Sequence, residues 1–80
     1  MIPMRPITVW ESGSTKRCIT NVEGAARFLL DHWPERYADH PLRHIAQEAA
    51  LDQLETGKRD IAFDNLFASA CAAAGVLVGR

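Results

Sequence analysis

The sequence predicts an α+β domain in which an N-terminal β-hairpin packs on three α-helices, in the order β-β-α-α-α. Two short runs rich in β-branched residues come first, separated by a turn-forming cluster at 12–15. Three segments with apolar residues at three- and four-residue intervals follow them. A chain of 80 residues supports only one small core. We therefore expect an extended lead-in at 1–6 and a single domain at 7–80.

The predicted hairpin consists of β-prone runs at 7–10 and 17–20. In the register that we predict, three couples of residues face each other: Val9 and Ile19, Trp10 and Cys18, and Glu11 and Arg17. This register forms one aliphatic face and one cross-strand ion pair near the turn. A slip of one residue would exchange the two faces of the hairpin.

The first helix is predicted to begin at about Asn21. Thr20 and Glu23 have the S/T-x-x-E spacing of a capping box, in which each side chain binds a backbone N–H group at the helix start. Pro34 ends the helix, because the residue before a proline avoids helical geometry. The apolar residues of this segment recur at helical spacing: Val22, Ala25, Ala26, Leu29, Leu30 and Trp33.

The second helix is predicted to run from Pro41 to about Glu55, with Gly57 as its left-handed terminator. Its apolar residues spread over more than half of the helical circumference: Leu42, Ile45, Ala46, Ala49, Ala50, Leu51 and Leu54. This breadth indicates a central helix with two neighbours.

Asp60 is predicted to cap a third helix, which Gly75 ends. One side of this helix carries a buried stripe, and the opposite side carries four uncharged residues: Ile61, Asn65, Ala68 and Ala72. Because a solvated helix face normally carries charge, we interpret this face as a partner surface. The apolar tail Val76–Val78 either forms a third strand beside the hairpin or covers the last helix.

The predicted core centres on the junction where the first helix meets Trp33 and Pro34. We expect the Trp33 indole to fill part of the core and its N–H group to find a nearby carbonyl. The residues predicted to form the core are Val22, Leu29, Leu30, Trp33, Ile45, Leu51, Leu54, Phe63, Leu66 and Phe67.

The segment from Ala25 to Pro34, which follows a hairpin and a T-x-V-E helix start, contains the core F-L-L-x-x-W-P. With later residues, it resembles domain-of-unknown-function family 982, a set of short uncharacterised bacterial proteins, over about 7–78. The later residues are Ala50-Leu51, Leu54-Glu55, Gly57, Phe67, Ala70 and Ala74-Gly75-Val76. The link between Pro34 and Pro41 departs from the family pattern. The resemblance implies an α+β domain that usually makes up the whole protein, with no assigned activity, cofactor or catalytic residue.

His40, His44 and Glu48 recur at four-residue intervals, so on a continuous helix they would form a candidate metal site. Against this, Pro41 places His40 at the helix cap, and a solvated polar face is the competing interpretation. Cys71 is predicted near a helix C-terminus, the wrong end for a reactive thiolate. We interpret it and Cys18 as small structural hydrophobes. No phosphate-binding glycine loop or serine-nucleophile motif is present, so we expect no cofactor and no enzymatic activity.

The formal net charge is −1, with both signs interspersed, and this gives no electrostatic footprint for nucleic acid. Lys16 and Arg17 at the hairpin tip, with Trp10 nearby, form a small candidate patch for single-stranded nucleic acid. The sequence holds no signal peptide and no run of about 18 apolar residues that could span a membrane. We expect a soluble, cytoplasmic protein.

The leading hypothesis is a small non-enzymatic interaction module that acts as a homodimer. The small core and the uncharged face of the third helix favour it, and the contact would use that face or the hairpin edge near Trp10. The alternative hypothesis is a weak nucleic-acid or small-ligand binding protein that uses the patch at the hairpin tip. No residue in the sequence supports a particular enzymatic mechanism.

Overall fold

A computed structural model describes residues 1–79 and confirms the predicted α+β class. Three antiparallel strands form one sheet in the order β2-β1-β3, and the element order is β-β-α-α-α-β. A short 3-10 turn at Glu35–Tyr37 lies in the link between the first two helices. The strands are β1 (Pro3–Ser12), β2 (Thr15–Asn21) and β3 (Leu77–Gly79), and the helices are α1 (Val22–Asp31), α2 (Pro41–Thr56) and α3 (Ala62–Ala73).

The C-terminal tail forms the third strand, which is one of the two predicted alternatives. β3 pairs antiparallel with β1, with Val9 opposite Leu77 and Thr8 opposite Gly79. The N–H group of Trp10 donates to the carbonyl of Val76 over 2.9 Å, just before this strand begins. The first strand of the chain is therefore the central strand of the sheet.

The predicted hairpin register is wrong by two residues. Ile7, and not Val9, lies opposite Ile19, while Val9 lies opposite Arg17. The turn is tighter than the four-residue cluster suggested, since Ser12 already pairs with Thr15. Because side chains alternate with a period of two, this shift leaves the same residues on the buried face.

The predicted ion pair between Glu11 and Arg17 is nevertheless present. Nη1 of Arg17 donates to Oε1 of Glu11 over 2.9 Å, although the two residues are not directly opposite in the observed register. Diagonal neighbours on adjacent strands lie within reach of long side chains. The ion pair therefore forms in spite of the shift.

β1 begins at Pro3, four residues before the predicted start of the first strand. Its pairing with β2 is irregular between Pro3 and Ile7, where β1 carries more residues than its partner. Met4 is buried, and the N–H group of Arg5 donates to Oδ2 of Asp64 in α3 over 3.1 Å. The expected lead-in is thus tied into the fold by a buried side chain and a hydrogen bond.

The capping box predicted at the start of α1 is also wrong. Asn21 is the N-cap residue in place of Thr20, and its Oδ1 accepts from the N–H group of Gly24 over 2.6 Å. The carboxylate of Glu23 binds the N–H group of Ile2 at 3.0 and 3.2 Å. Asparagine is at least as good an N-cap as threonine, and the strand extends through Asn21, so the cap falls one residue later.

The ends of the helices agree well with prediction at most positions. α1 ends at Asp31, two residues before Trp33. α2 begins at Pro41 and ends at Gly57, whose φ of 71° is the left-handed geometry that favours glycine. Before α3, Oδ1 of Asp60 accepts from the N–H group of Ala62 over 3.0 Å.

Phe28 lies at the centre of the core, although it was not among the predicted core residues. Its ring contacts those of Trp33 and Phe67 edge to face, with centroids 5.9 and 6.2 Å apart. The predicted core residues that are buried are Val22, Leu29, Phe63 and Phe67. Those that are partly buried and pack against the core are Trp33, Leu54 and Leu66.

Three residues predicted to be in the core are on the surface: Leu30 is 69%, Ile45 50% and Leu51 55% exposed. On α1, Phe28 faces inward, and two residues further on the helix has turned by about 200°, which directs Leu30 outward. On α2, the inward positions belong to Ala46 and Ala50, which are fully buried. Small residues there let α2 lie close to the rest of the protein, while Leu42 and Leu54 pack at its margin and Ile45 and Leu51 stay outside.

We predict that Phe28→Ala lowers the free energy of unfolding by about 3–5 kcal/mol, because it opens a cavity where three aromatic rings meet. Urea unfolding followed by circular dichroism measures this change. Ile61→Ala is the matched control: Ile61 is 67% exposed, and its truncation should change stability by less than about 0.5 kcal/mol. Equal effects of the two substitutions would contradict the central position of Phe28.

Candidate functional site

A groove of about 650 Å³ lies between α1 and α2 on the surface of the protein. Its lining combines charged and polar side chains with three aliphatic ones. We call it the α1–α2 groove. It is lined by Glu23, Ala26, Arg27, Leu30 and Asp31 from α1 and by His44, Gln47, Glu48 and Leu51 from α2.

One arginine positions the two helices that form the groove. Nε and Nη2 of Arg43 donate to the carbonyl of Leu29 over 3.1 and 2.9 Å, and Nη1 donates to the carbonyl of Ala38 over 2.9 Å. The last carbonyls of a helix have no hydrogen-bond partner inside it, so Arg43 supplies the donor for the Leu29 carbonyl at the end of α1. It also holds the start of α2 against the end of α1, and the two helices therefore run in opposite directions along the groove.

The apolar residues of the groove are unusually exposed for their size. Leu30 of α1 and Leu51 of α2 both line the groove and are 69% and 55% exposed. Ile45, half exposed, is another large aliphatic side chain of α2, but it lies outside the groove lining. Single exposed leucines are common on protein surfaces, whereas several together with a charged rim are typical of an interaction site.

The rim of the groove carries both signs of charge. On α1, Arg27 and Asp31 are exposed, and on α2 His44 and Glu48 are exposed. The hydrogen bond from the backbone N–H group of Ile2 lowers the pKa of Glu23 below its ordinary value. The groove lining therefore carries two carboxylates and one guanidinium group on α1, and one carboxylate and one imidazole on α2.

The partner face predicted on α3 is not a continuous surface. Ile61, Asn65 and Ala72 are exposed, but Ala68, which should lie between them, is only 1% exposed. α3 buries a wide arc that includes Ala68 and Cys71 as well as its aromatic residues. The uncharged character of Ala68 therefore reflects packing inside the protein, and this part of the prediction is wrong.

The candidate metal ligands do not come together as one site. Nδ1 of His40 accepts from the N–H group of Leu42 over 3.1 Å and so caps α2. His44 and Glu48 lie further along, in the α1–α2 groove. Within residues 1–79, no group of three or more histidine, cysteine or acidic side chains is placed to hold a metal ion.

The hairpin tip brings together part of the predicted basic and aromatic patch. Nζ of Lys16 lies 5.2 Å from the centroid of the half-buried Trp10 ring, a cation–π contact. Arg17 is paired with Glu11, which also lies 3.4 Å from Nε2 of His32. The charge of Arg17 is thus compensated within the chain, which leaves Lys16 as the main cationic group of this patch.

Asp64 is a buried acidic residue that the sequence did not single out. Its side chain is 5% exposed, and its Oδ2 accepts from the guanidinium group of Arg59 as well as from the N–H group of Arg5. Breaking such a pair is costly because it leaves a buried charge without compensation. This cluster ties β1 to α3 and has a structural role.

The two cysteines have opposite environments. Cys71 is buried as predicted, and its burial raises the pKa of the thiol to about 12. Cys18 is exposed, contrary to the prediction of a structural hydrophobe, because it lies opposite Thr8 on the face of the sheet away from the core. Burial of Cys71 disfavours its thiolate, which is the nucleophilic form of the side chain.

Comparisons with known proteins found no matching family model, no matching curated protein and no matching solved structure. No helix in the described part of the chain is long and apolar enough to cross a membrane. The α1–α2 groove was missed from the sequence because its leucines were assigned to the core. One feature of the sequence indicated an exposed apolar surface on α2: this helix carries more apolar positions than a helix of a small domain can bury.

We predict that Arg43→Lys lowers the free energy of unfolding by about 1–3 kcal/mol, since an ammonium group cannot bind both the Leu29 and Ala38 carbonyls in this geometry. Thermal and urea unfolding measure the change. Arg36→Lys, at an exposed position in the 3-10 turn, is the control and should have an effect near zero. A similarly small effect of Arg43→Lys would contradict its role in positioning the helices.

We predict that one thiol per native chain reacts with an aromatic disulfide reagent at pH 8, and that two react in denaturant. Cys18 is exposed and reacts, whereas Cys71 is buried with its pKa raised to about 12 and stays protonated. Cys18→Ser should abolish the native reaction, and Cys71→Ala should leave it intact. Rapid reaction of two thiols in the native protein would contradict the burial of Cys71.

Proposed function

We propose that this chain is a small cytoplasmic, non-enzymatic interaction module that acts as a homodimer, with the α1–α2 groove as the contact between copies. The observation that carries the proposal is the exposure of Leu30 and Leu51 around one groove, with Ile45 nearby on α2. These residues have the apolar character of core positions, and a second copy would remove them from water. The contact is thus proposed on α1 and α2, and not on the α3 face, which the buried Ala68 interrupts.

The surface of this chain is large enough to hold a dimer contact of standard size. A standard interface buries about 800 Å² on each partner, roughly one sixth of the 4799 Å² of this chain's accessible surface. Full burial of a leucine contributes about 1.5–3 kcal/mol, and a two-fold interface uses each residue twice. Two leucines per copy therefore make a substantial contribution against the entropy lost on association.

We also propose that the chain is a divergent member of domain-of-unknown-function family 982. The support is the segment from Phe28 to Pro34, together with an α+β fold of the kind that the resemblance implies. In the structure this segment contains Phe28 and Trp33, whose rings meet in the core. Packing thus explains Phe28 and Trp33, and the resemblance adds no activity to the proposal.

Weak nucleic-acid binding at the hairpin tip is a second candidate function, favoured by the contact between Lys16 and Trp10. The pairing of Arg17 with Glu11 counts against it. Binding to single-stranded nucleic acid at 50 mM salt that Lys16→Ala removes would support this function. Absence of binding under those conditions would exclude it, because phosphate contacts are strongest at low salt.

We predict that Leu30→Glu converts the protein from dimer to monomer, because it replaces one of the two leucines of the proposed contact with a charged residue. Sedimentation equilibrium at about 10–100 μM measures the oligomeric state. Ile61→Glu is the matched control, since Ile61 is as exposed as Leu30 but lies at the start of α3, outside the groove. Circular dichroism confirms that both variants remain folded.

A monomeric wild-type protein at 100 μM would overturn the proposed homodimer. Dissociation by Ile61→Glu, with Leu30→Glu still dimeric, would move the contact to the α3 face. Because both residues are exposed, neither change disturbs the core, and a loss of association reports on the surface itself.

A further inference from the structure

We propose that protonation of His44 regulates the homodimer, so that two copies bind each other more tightly at pH 5.5 than at pH 8. The inference rests on the proposed function, because it takes the α1–α2 groove as the contact between copies. It adds what controls the affinity of that contact. The controlling quantity is the net charge of the groove lining, to which His44 contributes the group that changes with pH.

The groove lining carries more acidic than basic groups. Its three carboxylates are those of Glu23, Asp31 and Glu48. Its one guanidinium group is that of Arg27. The charge of Glu23 is compensated inside the chain, because its Oε2 lies 3.6 Å from the N-terminal ammonium group. With His44 neutral, the other charged groups leave one net negative charge on the lining of each copy.

The uncompensated charges of the lining are open to an approaching surface. Arg27 and Asp31 of α1 are exposed, as are His44 and Glu48 of α2. Within residues 1–79, none of these four side chains forms an ion pair with another group of the chain. A partner that docks on the groove therefore meets their charges directly.

The symmetry of a homodimer turns this net charge into a repulsion. A two-fold contact uses the same patch on both copies, whichever direction its axis takes. The lining of one groove therefore meets a lining of the same net charge. Like charges across an interface are unfavourable, so a negative lining weakens the association that the burial of Leu30 and Leu51 favours.

His44 can remove this repulsion. Histidine is the side chain that gains its charge between about pH 8 and pH 5, and His44 is the histidine of the groove lining. The charged groups that share the groove with it are Glu23, Arg27, Asp31 and Glu48. Protonation of His44 adds one positive charge to each lining and brings the net charge of its uncompensated groups to zero. The dimer therefore becomes tighter as the pH falls through this range and weaker as it rises.

Two further basic groups lie near His44 on α2, and both are engaged inside the chain. Nδ1 of His40 accepts from the N–H group of Leu42 over 3.1 Å, so this ring caps α2 with its Nδ1 unprotonated. The guanidinium group of Arg43 donates to carbonyls of α1 and of the link, and its charge does not change with pH. Neither residue is part of the groove lining. His44 is thus the group through which pH acts on the contact.

The test is the dissociation constant of the dimer, measured by sedimentation equilibrium at pH 5.5 and pH 8. We expect the wild-type constant to be at least about threefold lower at pH 5.5, the size expected for removing the repulsion of single charges near a protein surface. His44→Gln should show almost the same constant at both pH values. His32→Gln is the matched control: His32 lies 3.4 Å from Glu11, outside the groove lining, and this variant should keep the pH response.

Removal of a carboxylate tests the repulsion without a change of pH. At pH 8, Glu48→Gln takes one negative charge from each lining and should lower the dissociation constant at least about threefold. Glu35→Gln makes the same change of net charge in the exposed 3-10 turn and should have little effect. Circular dichroism at both pH values confirms that the variants remain folded.

The outcomes separate this inference from the proposed function. A wild-type dimer that binds equally at both pH values, and that Leu30→Glu dissociates, keeps the groove as the contact and overturns its regulation by His44. A pH response that survives in His44→Gln, or no effect of Glu48→Gln at pH 8, overturns that regulation as well. A wild-type protein that is monomeric at 100 μM at both pH values overturns the proposed function and this inference together.

Discussion

The hydrogen bonds from Arg43 to the Leu29 carbonyl determine how the two surface helices lie together. Leu29 is near the end of α1, where carbonyl groups lack partners within the helix, and Arg43 is in the first turn of α2. A third bond, to Ala38, fixes the link between these helices. One guanidinium group therefore sets the end of α1, the path of the link and the start of α2, and the shape of the groove follows from all three.

The second determinant is the limited volume of the core. Three aromatic rings, Phe28, Phe63 and Phe67, are its largest fully buried side chains. Interiors are close-packed, and α2 fills its inward positions with Ala46, Ala50 and Gln53. Leu51 and Ile45 lie on other faces of that helix and are exposed, as Leu30 is on α1. The exposed aliphatic residues are thus a consequence of how the core is filled. Leu30 and Leu51 are also the residues through which we propose that two copies bind each other.

Much of the fold follows from local signals in the sequence. Gly57 ends α2 because it can adopt a positive φ, as predicted. The predicted cap of α3 is wrong by one residue: Ile61 is the N-cap and makes no side-chain cap hydrogen bond, although Oδ1 of Asp60 accepts from the N–H group of Ala62. The hairpin register was wrong by two residues because Ile7 and Val9 are equally good partners for Ile19, and only the tightness of the turn decides between them. The N-cap of α1 was also predicted wrongly. Thr20 and Asn21 are adjacent and both suit the N-cap position, and the structure uses Asn21.

The candidate site was harder to predict because it depends on how far each helix is rotated. Helical spacing placed Leu29 and Leu30 in the core and left Phe28 out, whereas the structure buries Phe28 and exposes Leu30. A rotation of about 100° per residue separates a core position from a surface one. That rotation is set by packing against α3 and the sheet, which lie far away in sequence, and no local pattern reports it.

Apolar surface alone would make the α1–α2 groove an indiscriminate contact, because aliphatic burial has no direction and favours any apolar partner. Specificity requires groups that penalise wrong partners as well as groups that reward the right one. The lining of this groove also carries charged groups of both signs, with Glu23, Arg27 and Asp31 on α1 and Glu48 on α2. In the proposed homodimer the leucines would supply most of the affinity, while these charges would penalise any partner that brings a like charge against them.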